Sequence, residues 1–263
     1  MSSPASSRLF ANTTSPPVIK AQSAAVVDRV TGDVLFSKNE KTKVPPASLT
    51  KVMTALIALG HIHNLNHYAR VPQEALGQRG TRLGLVLGDR INVRNLLRCS
   101  LIMSATDCTV TLAHYVAGSE KAFVTLMNAK AIQLGMGDTH FVNSTGDNAP
   151  GHYSSALDLA LLGRKAMQNS RFRSLVDTSQ TQISWPPHKS VTARSRNWLV
   201  RNYPWANGIK TGNFRESGFC MLASGIFNSR SLIVVTLHEA SVVSEKADVL
   251  ALFSYGSQAV APS

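Results

Sequence analysis

Hydrophobic and polar positions along the chain change rhythm three times. Residues 23–29 and 33–37 are short Val-rich runs joined at Val30-Thr31-Gly32, where glycine supplies the positive φ of a tight turn. They predict a β-hairpin. After Pro45-Pro46 the spacing switches to threes and fours, with Leu49, Val52, Met53, Leu56 and Ile57 predicting a helix over 47–58. Helical spacing recurs at 93–103, 107–116, 120–134 and 155–167, with Thr106-Asp107 and Ser154-Ser155 as candidate N-terminal caps. Residues 208–212, 218–226 and 231–238 then read as strands, Asn228-Ser229 as the turn between the last two, and 242–255 as a closing helix.

Strands, helices, strands and helix in that order, with no repeat or low-complexity linker, predict an α/β layer built from both chain ends around a helical insertion. The expected division is 18–63 with 183–263 as the sheet part, 64–182 as an all-helical part, and 1–17, rich in Ser, Thr, Ala and Pro, as a flexible tail.

The 263 residues are 44% hydrophobic, enough for a sizeable core. The longest apolar stretch, 52–60, is far short of a bilayer span, so a soluble chain is expected, with any leader or membrane attachment outside it. Cys99, Cys108 and Cys220 are odd in number and lack metal-ligand spacing, which leaves small buried hydrophobes as the plain reading. The formal charge of +12 points to anionic surroundings: nucleic acid, an acidic membrane or a wall polymer. Between residues 164 and 230 there are eleven Lys+Arg and two Asp+Glu, so this stretch is expected to steer anionic substrate.

Three segments carry chemistry. Ser48 and Lys51 stand three apart at a helix start, where a Lys held neutral by burial could take the serine proton and backbone N–H groups could hold an oxyanion. Ser104 sits in a loop between two helices, where a second hydroxyl could relay a proton to a leaving amine. Lys210-Thr211 on a strand could hold a carboxylate, with Gly212 leaving room for the substrate backbone.

Taken together, Ser48-Leu49-Thr50-Lys51, Ser104-Ala105-Thr106 and Lys210-Thr211-Gly212 resemble the motif set of penicillin-binding proteins and class A β-lactamases. The wider context is similar to the low-molecular-weight penicillin-binding proteins, serine D-alanyl-D-alanine carboxypeptidases and endopeptidases. The likeness extends to 143–146, 153–159 and 218–224. It implies a five-stranded antiparallel sheet flanked by terminal helices, with a helical subdomain and a cleft between them. It implies Ser48 as the acylated nucleophile, Lys51 as its base and Ser104 as proton relay. Lys210, Thr211, Gly212, Thr106 and Arg196 would bind substrate, with the N–H groups of Ser48 and Asn213 as the oxyanion hole. The implied partners are peptidoglycan stem peptides and, as covalent inhibitors, β-lactams, in an extracytoplasmic setting and without metal or cofactor. The family's second motif usually ends in Asn; here Thr106 stands in that place, and its shorter hydroxyl cannot span two partners.

Rival readings follow from the same residues. A class A β-lactamase needs a deacylating Glu between the second and third motifs, and none occurs between Glu120 and Glu216. His61, His63 and His67 lack the carboxylate or Cys of a metal site and read as a surface loop. Trp185, Trp198, Tyr203 and Trp205 come without a nucleic-acid-binding motif and read as packing near the cleft. A non-catalytic wall binder, decayed at Thr106, is the alternative of a different class, although Ser48, Lys51, Ser104 and Lys210 are all intact.

Overall fold

The computed structural model describes residues 15–259. Most of the expected tail 1–17 therefore lies outside the described residues. From Ile19 the chain is packed: Ala21 is fully buried, and the backbone N–H groups of Lys20 and Ala21 donate to the Asp248 carboxylate.

Strands β1 (Ser23–Asp28) and β2 (Val34–Lys38) form the expected hairpin. The segment expected as one helix over 47–58 begins instead as a 3-10 turn, Ala47–Thr50, and continues as α1 (Lys51–His61). Two small strands, β3 (Tyr68–Arg70) and β4 (Arg90–Asn92), precede α2 (Val93–Arg98), which runs into a π turn, Cys99–Met103. Then come α3 (Thr106–Ala117), α4 (Glu120–Gln133), α5 (Ala156–Ala166) and α6 (Ser170–Val176). Strands β5 (Gln180–Trp185) and β6 (Lys189–Arg194) pair as a ribbon. The short helix α7 (Trp198–Asn202) leads to β7 (Ala206–Phe214), β8 (Gly218–Phe227), β9 (Arg230–Glu239) and the closing helix α8 (Val242–Gln258).

The main sheet has the order β2-β1-β9-β8-β7, antiparallel throughout, so strands from the two chain ends meet where β1 pairs with β9. Because side chains alternate across a strand, each strand feeds two cores. Ala25, Val27, Leu222, Ile233 and Val235 join the core that contains α1 and α5. Ala24, Val26, Met221, Ala223, Leu232 and Val234 join a second core under α8. Both faces are dry, which is why these strands read as continuous apolar runs rather than alternating ones.

The region expected to be all-helical also carries the β3–β4 ribbon and the start of β5–β6. These escaped the pattern because most of their positions are polar: in β5 only Ile183 and Trp185 are buried. Helix α6 is too short for periodicity to show. All three cysteines are buried and unbridged. His61, His63 and His67 are exposed at and after the end of α1. Trp205 packs against Phe227 and Phe253 beneath α8, and Trp185 donates to Asp89. Of the three tryptophans only Trp198 lines the cleft described next. No helix among the described residues is long and apolar enough to cross a membrane.

Candidate active site

The 3-10 turn that opens α1 presses Ser48 and Lys51 together. Ser48 Oγ and Lys51 Nζ are 2.8 Å apart, and Nζ also donates to the Thr145 carbonyl at 2.7 Å. Lys51 is fully buried. Burial pushes its ammonium down to about 7, Arg196 adds to that, and Asp147 opposes it. An amine in that range is available as a base near neutrality.

The carbonyl that holds Lys51 is itself fixed by a local device. Asn143 Oδ1 accepts from the N–H groups of Thr145 and Gly146, an Asx turn. Gly146 has φ +82°, and a Cβ there would fall 1.8 Å from the Ala47 carbonyl oxygen, so the two backbones touch. Thr54 donates to the Ser144 carbonyl, and Glu120 receives the Ser144 N–H and hydroxyl. His152 completes the shell. Its Nδ1 accepts from Val142 N–H, so Nε2 carries the proton and donates to Thr50 Oγ1 at 2.9 Å. Burial lowers its pKa to about 4, which keeps the ring neutral beside Lys51. Sequence reasoning did not find His152; a lone His near two turn glycines carries no periodic signal.

Ser104 follows the π turn in a left-handed conformation, φ 66° and ψ 27°. A non-glycine residue held there stores roughly 1–3 kcal/mol of backbone strain. Thr106 does not project a free hydroxyl: its Oγ1 and its backbone N–H both donate to the Thr81 carbonyl. Arg196 Nη1 donates to Thr81 Oγ1, so one loop residue ties both together. Thr106 and Asp107 do not cap α3 as expected: Ala105 is its N-cap, without a side-chain bond, and Asp107 in the first turn receives the N–H groups of Leu83, Gly84 and Leu85 as well as Cys108 N–H. It moulds the loop that forms one wall.

Strand β7 supplies the other wall. Lys210 is buried, donates to the Thr211 carbonyl, and has its pKa driven well below the usual lysine value by burial, then by Lys51 and Arg196. Gly212 lines the cleft and also lets β7 approach the nucleophile turn. A Cβ on it would stand 2.9 Å from Ser48 N and 3.0 Å from Ala47 Cβ, so a side chain here would push against the turn that carries Ser48. The resulting cleft, about 480 Å³, is lined by Ser48, Ser104, Thr106, Arg196, Thr211 and Asn213 among others, with Lys51 and Lys210 buried beneath it.

The basic stretch 164–230 is not gathered at this cleft. Arg171 donates to the carbonyls of Leu59, Ile62 and His63 at the far end of α1, roughly 16 Å from its start at 1.5 Å per residue. Arg164 and Arg173 likewise donate to backbone carbonyls, those of Arg29, Val30, Met167 and Gln168. Part of the charge concentrated along the sequence is thus committed away from the cleft, while Arg196 lines it and Lys210 lies buried beneath it.

Comparison with known proteins places these features in context. The family model for D-alanyl-D-alanine carboxypeptidase matches residues 10–241. The carboxypeptidase DacF of Bacillus subtilis is 30% identical over 240 residues, which cover 90% of this chain and 62% of DacF. The chain thus spans less than two thirds of that relative's length. A D-alanyl-D-alanine endopeptidase of Pseudomonas aeruginosa is 31% identical over 88% of this chain and 75% of its own. The crystal structure of a Streptomyces DD-transpeptidase superposes with a TM-score of 0.87 at 26% identity, covering 92% of this chain and 99% of that one. With its penicillin-recognising fold and a family match over most of its length, the chain belongs to the D-alanyl-D-alanine carboxypeptidase family.

Proposed function

We propose that this chain is a serine peptidase that cleaves D-Ala-D-Ala ends, or peptide cross-links, of peptidoglycan stem peptides outside the cytoplasm, and that β-lactams acylate the same serine. The observation that carries the reading is the 2.8 Å approach of Lys51 Nζ to Ser48 Oγ beneath an open cleft. Neutral Lys51 takes the hydroxyl proton as Ser48 Oγ bonds to the scissile carbonyl carbon. The oxyanion is held by the N–H groups of Ser48, in the first turn of its helix, and Asn213. As the amide C–N bond breaks, Ser104 passes its proton to the departing amine and is restored by the proton that Lys51 took from Ser48, which leaves Lys51 neutral again. Water then adds to the ester as neutral Lys51 takes its proton, and Lys51 returns that proton to Ser48 Oγ as the ester C–O bond breaks. Lys210, Thr211 and Arg196 receive the carboxylate of the substrate or of the β-lactam.

A fluorescent penicillin tests the reading. Covalent label on the parent and none on Ser48→Ala is the expected result; equal labelling of both overturns the nucleophile assignment. Mass analysis of muropeptides separates the two reactions: loss of one alanine marks a carboxypeptidase, and conversion of dimers to monomers an endopeptidase. No change in either, with no label, would favour the binder reading.

A further inference from the structure

Some of the protein's positive charge gathers where the serine chemistry makes no use of it. A cavity of about 240 Å³, sharing no residue with the cleft, is lined by Arg29, Arg164, Met167, Gln168 and Arg173. It lies where the β1–β2 turn meets the junction of α5 and α6. Neutral oxygens fix each guanidinium. Arg164 Nε and Nη2 donate to the carbonyls of Arg29 and Val30, and a Cβ on Gly32 would stand 3.1 Å from Arg164 Cζ, so the hairpin turn is seated on that side chain. Arg173 Nη1 donates to the carbonyls of Met167 and Gln168, and Arg29 Nη2 to Ser231 Oγ. Arg164 Nη1, together with Nε of Arg29 and of Arg173, is engaged by no acceptor among the described residues.

The charges are also unanswered. No Asp or Glu of the described residues pairs with any of the three, and Asp28, next to Arg29, is taken by Arg230. Burial, and after it the charge of Arg173, presses down the Arg29 pKa, as befits cations that face one another without a counter-ion. Lys165 donates to Gln168 Oε1 and brings a fourth positive charge beside the cavity. Converging guanidinium groups, held in place with donors to spare, are the arrangement that receives an anion. A carboxylate has two oxygens, which one fork fills. A phosphate group presents oxygens on all sides to forks that arrive from three elements, and carries up to two charges. The cavity is smaller than the usual pocket of a whole organic ligand, and Arg173 is exposed at it, so the phosphate enters and whatever carries it stays outside.

We propose that Arg29, Arg164 and Arg173 form a phosphate-binding site, separate from the peptidase cleft, that takes the phosphate group of a polyol phosphate. Its occupancy would hold the protein to phosphate-bearing material while the cleft stays free, and it needs nothing from the serine chemistry.

Calorimetry on the full chain at low ionic strength tests this with inorganic phosphate, glycerol phosphate and acetate. Both phosphates are expected to bind at one site, and acetate at least about tenfold more weakly. Arg29→Gln and Arg173→Gln should each weaken phosphate binding by about tenfold, with the fold intact by circular dichroism. Arg201→Gln, which removes the same charge from an exposed position on α7, should leave it unchanged. Arg173, itself exposed, supplies a variant little tied to the core. No saturable binding of either phosphate, acetate binding as tightly as phosphate, or an equal loss in Arg201→Gln and Arg173→Gln overturns the site. A glycerol-phosphate oligomer that binds more tightly per phosphate than the monomer assigns a polymer as the source, and equal affinity per phosphate assigns a small ester; either result keeps the site.

Discussion

Gly212 and Ser48 come so close that the third motif and the nucleophile segment are one packed unit: a Cβ on Gly212 would lie 2.9 Å from the Ser48 nitrogen. The glycine thus sets where the serine stands relative to strand β7. Gly212→Ala is expected to push the turn away by a fraction of an ångström to an ångström. Displacement on that scale costs roughly 100-fold in rate. A time course of penicillin labelling checks this, with circular dichroism to show that the chain still folds; labelling at the parent rate refutes it.

The state of Lys51 sets a pH profile. With its pKa lowered to about 7, the neutral, proton-accepting fraction grows about tenfold per pH unit below that point and saturates above it. The acylation rate at low penicillin concentration should rise and level off in the same way. Lys51→Arg, which cannot deprotonate, should lower the rate by about 10² to 10⁴. A flat profile between pH 5 and 8 would remove Lys51 from the role of base.

Asp107 holds three N–H groups of the loop from Leu83 to Leu85. Asp107→Ala leaves those donors without their charged acceptor and should lower stability by about 3 kcal/mol, read from the urea midpoint. Amide exchange at Leu83, Gly84 and Leu85 should quicken by more than the global loss accounts for. Exchange that changes uniformly across the chain would show that the loop is held by something else.

Glu239 is pushed up to about 7 by burial and by Asp248. The folded state therefore binds a proton that the unfolded chain, titrating near 4.5, gives up. Its contribution to stability is present below about pH 4.5 and is lost as pH rises towards 7. Glu239→Gln should leave stability nearly unchanged at pH 5 and raise it at pH 8 relative to the parent. A parent-minus-variant difference that does not depend on pH would contradict the shift.

Much of this was legible in the chain, and the remainder was hidden for definable reasons. Ser48 and Lys51 are three residues apart, so one turn of helix brings them together and spacing suffices. The hairpin and the strands around Lys210 announce themselves because both faces of the sheet are buried. The ribbon β5–β6 does not, since its exposed positions are Gln, Ser, Thr and Arg. Glu245 looks from sequence like any acid in the first turn of a helix; only the packing of α8 at the end of β8 and β9 turns it towards a cleft. The hydroxyl of Thr106, expected to bind substrate, lines the cleft and donates to the Thr81 carbonyl, a contact between distant loops that spacing does not show.

Besides burial, Arg196 lowers the pKa of both Lys51 and Lys210, and Lys51 lowers that of Lys210, while Asp147 is the opposing charge on Lys51. If the substrate carboxylate binds at Lys210 and Arg196 as proposed, it adds a counter-charge to these groups and raises the pKa of Lys51. The basicity of Lys51 is in that sense conditional on occupancy. The ionisation seen in kcat, which reports the complex, should therefore lie to the alkaline side of the one seen in kcat/KM, which reports the free protein.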